Sequence, residues 1–243
     1  MASPSEGPAS IMLNRGENGP PDSGHGGIAA GRAAGLADAE RARVRLHAPI
    51  PLATPMIATL QNDGSHELLV AGDLVMSRHD LDEPMSLQGF APLAERALID
   101  AESRSFANGS DHPYPTCWGC GNHRPDGTGL GLRPGPIEDE SMFATRWTPG
   151  IEGQVSPWLV WAALDCPSGA PAIFAAGQTD LALTGELSVQ IHGPVDGEDE
   201  YQILSRQAQR NGRKITSEAA LVDSNGVTIA SAWSIWIMVS RST

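Results

Sequence analysis

The sequence predicts an α+β protein built from two similar halves, each a helix followed by three or four antiparallel strands. Three observations predict it. A small-residue helical run, GHGGIAAGRAAGLADAE from Gly24, leads into segments that alternate apolar and polar side chains. A second helical run, SPWLVWAALDCPSG from Ser156, leads into the same alternation. In both halves a proline, Pro49 or Pro194, stands where the first strand leaves. One helix wrapped by a curled antiparallel sheet is a stable α+β arrangement. Two copies in one chain would pair their sheets as the subunits of a homodimer do.

Residues 1–22 are punctuated by Pro4, Pro8, Gly16, Gly19, Pro20 and Pro21 and hold little that is apolar, so they are expected to be disordered or extended. Ser23 is the expected cap of the first helix, whose glycines each cost roughly 1 kcal/mol against alanine. Their presence there points to close packing or to a ligand approaching the backbone. In RARVRLH the period changes to two, as in a half-buried strand. Another strand at 56–60, the turn Asn62-Asp63-Gly64 and the run HELLVAGDLVMS complete a meander. The first repeat is thus assigned to residues 23–79, and 80–111 to a linker with one short helix at 92–101.

The second repeat is assigned to 112–243. Short strands are expected at 129–133 and 143–147. The helix after Ser156 is apolar nearly all round, so it should be buried on every side. Beyond it Leu183, Leu187, Val189 and Ile191 interleave with polar residues, and turns at Asn211-Gly212 and Asn225-Gly226 separate strands at 201–209, 214–222 and 227–239.

Sixteen basic residues against 29 acidic ones give a net charge of −13, which argues against nucleic acid as a partner. A few arginines can still hold the phosphates of a small molecule. The N-terminal stretch has no apolar leader, and the run from Ala230 to Val239 is too short to span a bilayer. Three cysteines, two of them at CxxC spacing, do not form a disulfide framework. These readings point to a soluble, cytoplasmic protein that does not enter a membrane.

The helix start Ser23–Gly27, with its His25-Gly26-Gly27, together with Asp165 in WAALDCPSG, resembles the hotdog acyl-CoA thioesterases of the phenylacetyl-CoA type. The stretch from CWGCG through GLGLRPGP is similar to a thioesterase-like group common in actinobacteria. The resemblance implies a double hotdog fold and acyl thioesters, on coenzyme A or an acyl-carrier protein, as substrates; a homodimer is among the assemblies it allows. It implies no cofactor. In that family the acidic residue lies nine positions after the histidine. Here that position is Ala34 in the first helix, and counting back from Asp165 gives Ser156. Each repeat keeps a different half of the site, so the resemblance implies one composite site between the repeats. The first repeat also lacks a recognisable strand ahead of its helix.

Thioester hydrolysis needs donors aimed at the developing oxyanion, and a helix N-terminus supplies them. Gly26 and Gly27 would leave such amides open, and His25 could add a hydrogen bond. Asp165 would be the base or nucleophile. It is expected toward the C-terminal end of its helix, where the dipole and burial both disfavour its charge, a strain common to functional carboxylates. The plainer alternative is that Asp165 holds backbone groups before Pro167.

Trp158 and Trp161 are candidate walls of an acyl pocket. Arg210 and Arg213, in a cluster with Arg206 and Lys214, are candidates for coenzyme A phosphates or for a charged sheet edge. Cys117-Trp118-Gly119-Cys120-Gly121 has the shape of a zinc knuckle. A structural zinc needs four ligands, and His112, His123 or Cys166 could supply the rest only by folding beside it. The sequence therefore assigns no metal and treats the motif as a tight loop with buried thiols. A dehydratase or hydratase would need a close His and Asp pair; His79-Asp80 is adjacent in sequence but expected in a loop. A non-catalytic acyl-binding protein is the third reading.

Overall fold

The computed structural model describes residues 9–124, 128–138, 141–177 and 180–240. In the first half, β1 (Ser10–Ile11) precedes α1 (Gly26–Ala34), β2 (Arg41–Leu46), β3 (Met56–Leu60), β4 (His66–Val70) and β5 (Asp73–Asp80). A connection carrying α2 (Glu95–Ser103) leads to β6 (Gly135–Pro136) and β7 (Phe143–Trp147). Then come α3 (Pro157–Ala176), β8 (Asp180–Ile191), β9 (Tyr201–Asn211), β10 (Lys214–Val222) and β11 (Thr228–Ser240). Among the described residues these strands form one antiparallel sheet, in the order β1-β3-β4-β5-β2-β8-β11-β10-β9-β7-β6.

That order repeats one plan. A strand, a helix and four further strands are laid out as β1, α1, β2 to β5, and again as β7, α3, β8 to β11. In both halves the strand before the helix pairs with the second strand after it, β1 with β3 and β7 with β9. The first strands after each helix, β2 and β8, meet and join the halves. The strand that seemed to be lacking is therefore β1, only two residues long and too short to show a period. Around it Ile11 and Leu13 are buried, and turns closed by the Glu17 N–H on the Asn14 carbonyl and the Ser23 N–H on the Pro20 carbonyl follow, so residues 9–22 are packed rather than disordered, extended only at their start; residues 1–8 lie outside the described range.

The helices α1 and α3 cross closely on the inner side of the sheet, and two glycines one turn apart make this contact. A Cβ on Gly27 would stand 2.6 Å from the Asp165 Cβ and 2.8 Å from the Ala162 Cα; one on Gly31 would stand 2.7 Å from the Trp158 Cα. Leu164, Leu187, Val189 and Ile203 fill the core around them, each large enough that truncation to alanine costs about 2–5 kcal/mol. On the opposite face Phe90 and Leu98 from the linker cover Ala144, Leu204 and Ala220.

Several local expectations change. The cap of α1 is His25, whose Nδ1 accepts from the Ile28 N–H, while Ser23 Oγ accepts from the Ile50 N–H. The short helix runs from Glu95 to Ser103 instead of 92–101. Residues 129–133 do not form a strand of the sheet: Leu130 and Leu132 donate to the carbonyls of Trp118 and Gly119, tying this stretch to the CWGCG loop. α3 does not stop at Pro167 but continues through Pro171 to Ala176. Pro171 has no N–H to give to the Pro167 carbonyl, and Ser205 Oγ donates to it at 2.6 Å instead. At 20 residues α3 is long and apolar enough to cross a membrane by composition, yet 83% of its apolar window is buried in this fold.

Candidate active site

His25-Gly26-Gly27 and Asp165, 138 residues apart, meet where α1 begins. The Gly27 N–H donates to Asp165 Oδ2 at 2.7 Å, and the Thr184 hydroxyl donates to Oδ1 at 2.9 Å. His25 Nε2 lies 3.6 Å from Oδ2. Because His25 Nδ1 accepts from Ile28, the neutral ring carries its proton on Nε2, which lies 3.5 Å from Cys166 Sγ. Of the first-turn amides, that of Gly26 has no protein partner among the described residues.

Asp165 is 2% exposed and His25 1%. Burial pushes the Asp165 carboxyl above the usual range; the His25 charge, the Thr184 hydroxyl and the Gly27 N–H oppose it without cancelling it. Burial pushes the His25 imidazole down, but its contact with the Cys117 sulfur and the charges of Cys117 and Asp165 lift it above its ordinary value. Asp165 is the ninth residue of a 20-residue helix, not near its end, so its own helix dipole is not what opposes its charge. The positive end of α1 faces it and favours that charge.

Thr184 reaches the carboxylate because β8 bulges. Ile235 pairs with Glu186 but Trp236 with Thr184, leaving Gly185 as the extra residue. The bulge reverses the inward side of the strand from that point, so the alternation read through Leu183 and Thr184 breaks there. A glycine inside a strand pattern was the available signal.

Asp165, His25, Gly26 and Thr184 open onto a cavity of about 540 Å³. Ile173, Leu181, Leu183, Trp236, Ile237 and Val239 give it a largely apolar wall. Its other side is closed by Pro113 and Tyr114, next to Cys117 and Cys120.

No known family's sequence profile matches the chain, and no curated protein does. Solved structures match it along almost its full length. A conserved protein of unknown function with a hotdog fold from Alicyclobacillus acidocaldarius superimposes with a TM-score of 0.63 at 12% identity, over 96% of this chain and 93% of that one. The chain is a double hotdog protein. The tesB protein of Mycobacterium avium subspecies paratuberculosis matches with a TM-score of 0.62 at 14% identity, over 95% and 92% of the two chains. The acyl-CoA thioesterase II TesB2 of Mycobacterium marinum matches at 0.59 and 11%, over 96% and 93%. At such identities the likeness is one of fold.

Other residues singled out in the sequence fall elsewhere in this double hotdog. Trp158 and Trp161 do not line the cavity. They lie on the side of α3 that meets Gly31 of α1, and Trp158 also stacks under Arg32; the cavity takes the faces bearing Asp165, Cys166 and Ile173, and its tryptophan is Trp236. Arg210 and Arg213 do not line it either, although their hairpin flanks the end of β11 that does: Lys214 pairs with Ile237, and the Met238 N–H donates to the Arg213 carbonyl. Arg206 is engaged by Glu218 and stacks on Phe90. His79 and Asp80 lie in β5 rather than in a loop, away from the cavity. At the pseudo-equivalent start of α3, Ser156 is exposed and caps nothing with its side chain.

Proposed function

We propose that the protein hydrolyses acyl thioesters carried by coenzyme A or an acyl-carrier protein, at the single composite site between its repeats. The observation that carries this reading is a carboxylate held by the Gly27 N–H at 2.7 Å, beside the unpartnered Gly26 amide, on the wall of an apolar cavity. Such a cavity suits a hydrocarbon chain, with the few polar groups at one end setting its orientation. The carbonyl oxygen would accept from the Gly26 N–H, which with the α1 dipole stabilises the charge that develops there.

Asp165 takes a proton from water as the water oxygen attacks the carbonyl carbon. The tetrahedral intermediate then collapses, the carbon–sulfur bond breaks, and the leaving thiolate takes the proton back from Asp165. Gly27 and Thr184 each hold one oxygen of the carboxylate, which fixes its direction during both transfers. His25, at the start of α1, stands 3.6 Å from Oδ2. Arg210 and Arg213 are our candidates for contacting coenzyme A phosphates outside the cavity, by charge and forked geometry. Three free buried thiols fit a reducing, cytoplasmic setting.

The test is thiol release from a panel of acyl-CoAs. In Asp165→Asn, which keeps the side-chain shape, turnover should fall by about 10²–10⁴-fold with the circular dichroism spectrum unchanged. Undiminished turnover in the folded variant would refute the assignment.

A further inference from the structure

The three cysteines of the chain are buried in one cluster, and His25 stands with Cys117 and Cys166. Cys117 and Cys120 arrive on the CWGCG loop and Cys166 on α3. Each is at most 4% exposed. Cys117 Sγ is 3.7 Å from Cys166 Sγ, and Cys166 Sγ is 3.5 Å from His25 Nε2. The Sγ atoms of Cys117 and Cys166 and a ring nitrogen of His25 all lie within 4.8 Å of one another.

Those separations can be compared with a metal site. Zinc bonds thiolate at about 2.3 Å and imidazole at about 2.05 Å. The edges of a tetrahedron with those arms are about 3.8 Å between sulfurs and about 3.5 Å from sulfur to nitrogen. The observed distances match both edges. The backbone is also shaped for the cluster: a Cβ on Gly119, between the two loop cysteines, would stand 2.5 Å from Cys166 Sγ and 2.7 Å from His25 Nε2.

We infer that Cys117, Cys166 and His25 bind one zinc ion that pins the CWGCG loop to the start of α1, with Cys120, buried in the same cluster, turning in as the fourth ligand. Three thiolates and a neutral imidazole form a closed set of the structural kind. Ligation through Nε2 moves the imidazole proton to Nδ1 and gives up the 3.3 Å contact from Ile28. All four groups border the cavity, which gives an ion a way in.

This inference stands whether or not the protein is a hydrolase, because its readout is metal and not turnover. The full-length protein, purified with reductant and without chelator, should retain one zinc per chain by elemental analysis. After zinc is removed, cobalt chloride should restore one equivalent of metal, with thiolate charge-transfer absorption and visible bands of tetrahedral intensity. Zinc chloride should raise the unfolding temperature of the metal-free protein. Cys166→Ser should weaken cobalt binding by at least about 100-fold. Wild-type protein that holds no zinc and gives no cobalt-thiolate band would overturn the site, as would a Cys117–Cys166 disulfide persisting under reductant. Full cobalt affinity in Cys166→Ser would overturn the ligand set.

Discussion

Gly31→Ala tests the helix crossing on which the site depends. In an exposed helix this change stabilises by about 1 kcal/mol, because alanine is the better helix former. Here the new methyl would stand 2.7 Å from both the Cα and the carbonyl oxygen of Trp158, and 2.8 Å from the Trp161 Cβ. Backbone atoms of a buried helix cannot swing aside as the end of a long side chain can. Accommodating the methyl means pushing α1 from α3, an overpacking penalty of about 3 kcal/mol. Subtracting the propensity gain leaves a net loss of about 2 kcal/mol.

In a chain of this length that loss lowers the melting temperature by about 4–8 °C, measurable by thermal or urea unfolding. Gly35→Ala is the matched control. Gly35 follows α1 with φ −71°, and its nearest neighbour would be the Arg32 carbonyl at 3.5 Å, so alanine there should be neutral or raise stability by about 0.5 kcal/mol. A Gly31→Ala protein as stable as wild type, or more so, would refute the close crossing.

Thr184→Val keeps the shape of the side chain but removes the donor to Asp165 Oδ1. Loss of a hydrogen bond to a charged group, about 1.5–3 kcal/mol, should reduce kcat on the best acyl-CoA by roughly 10–100-fold, and an unaltered kcat would remove Thr184 from the machinery. Ser205→Ala leaves the Pro167 carbonyl in the core without its partner and should destabilise by about 1–3 kcal/mol in urea unfolding while the fold is kept; no loss would mean that the prolines of α3 need no such support.

What is local in this protein was legible in its residues. The turns at Asn62-Asp63-Gly64, Asn211-Gly212 and Asn225-Gly226 mark the ends of β3, β9 and β10, because turn chemistry and a two-residue period act through backbone only a few positions apart. The apolar run after Ser156 announced a helix buried on nearly every side, and His25, Gly26, Gly27 and Asp165 could be singled out by residue type. Two local signals were also outweighed by packing: Pro167 and Pro171 end most helices, but the core around α3 supplies Ser205 to the freed carbonyl, and β1 is held by its partner β3 rather than by any pattern of its own.

Tertiary structure decided which of these groups meet. Whether Asp165 faces Gly27 across 138 residues, whether Trp158 or Trp236 borders the cavity, and whether Cys166 joins Cys117 are questions of which helix faces pack together. No local propensity encodes those choices. They follow from the close approach that Gly27 and Gly31 permit and from the bulge at Gly185, which turns Thr184 inward. Each depends on steric fit between segments distant in the chain, whose cost and gain exist only once both are in place.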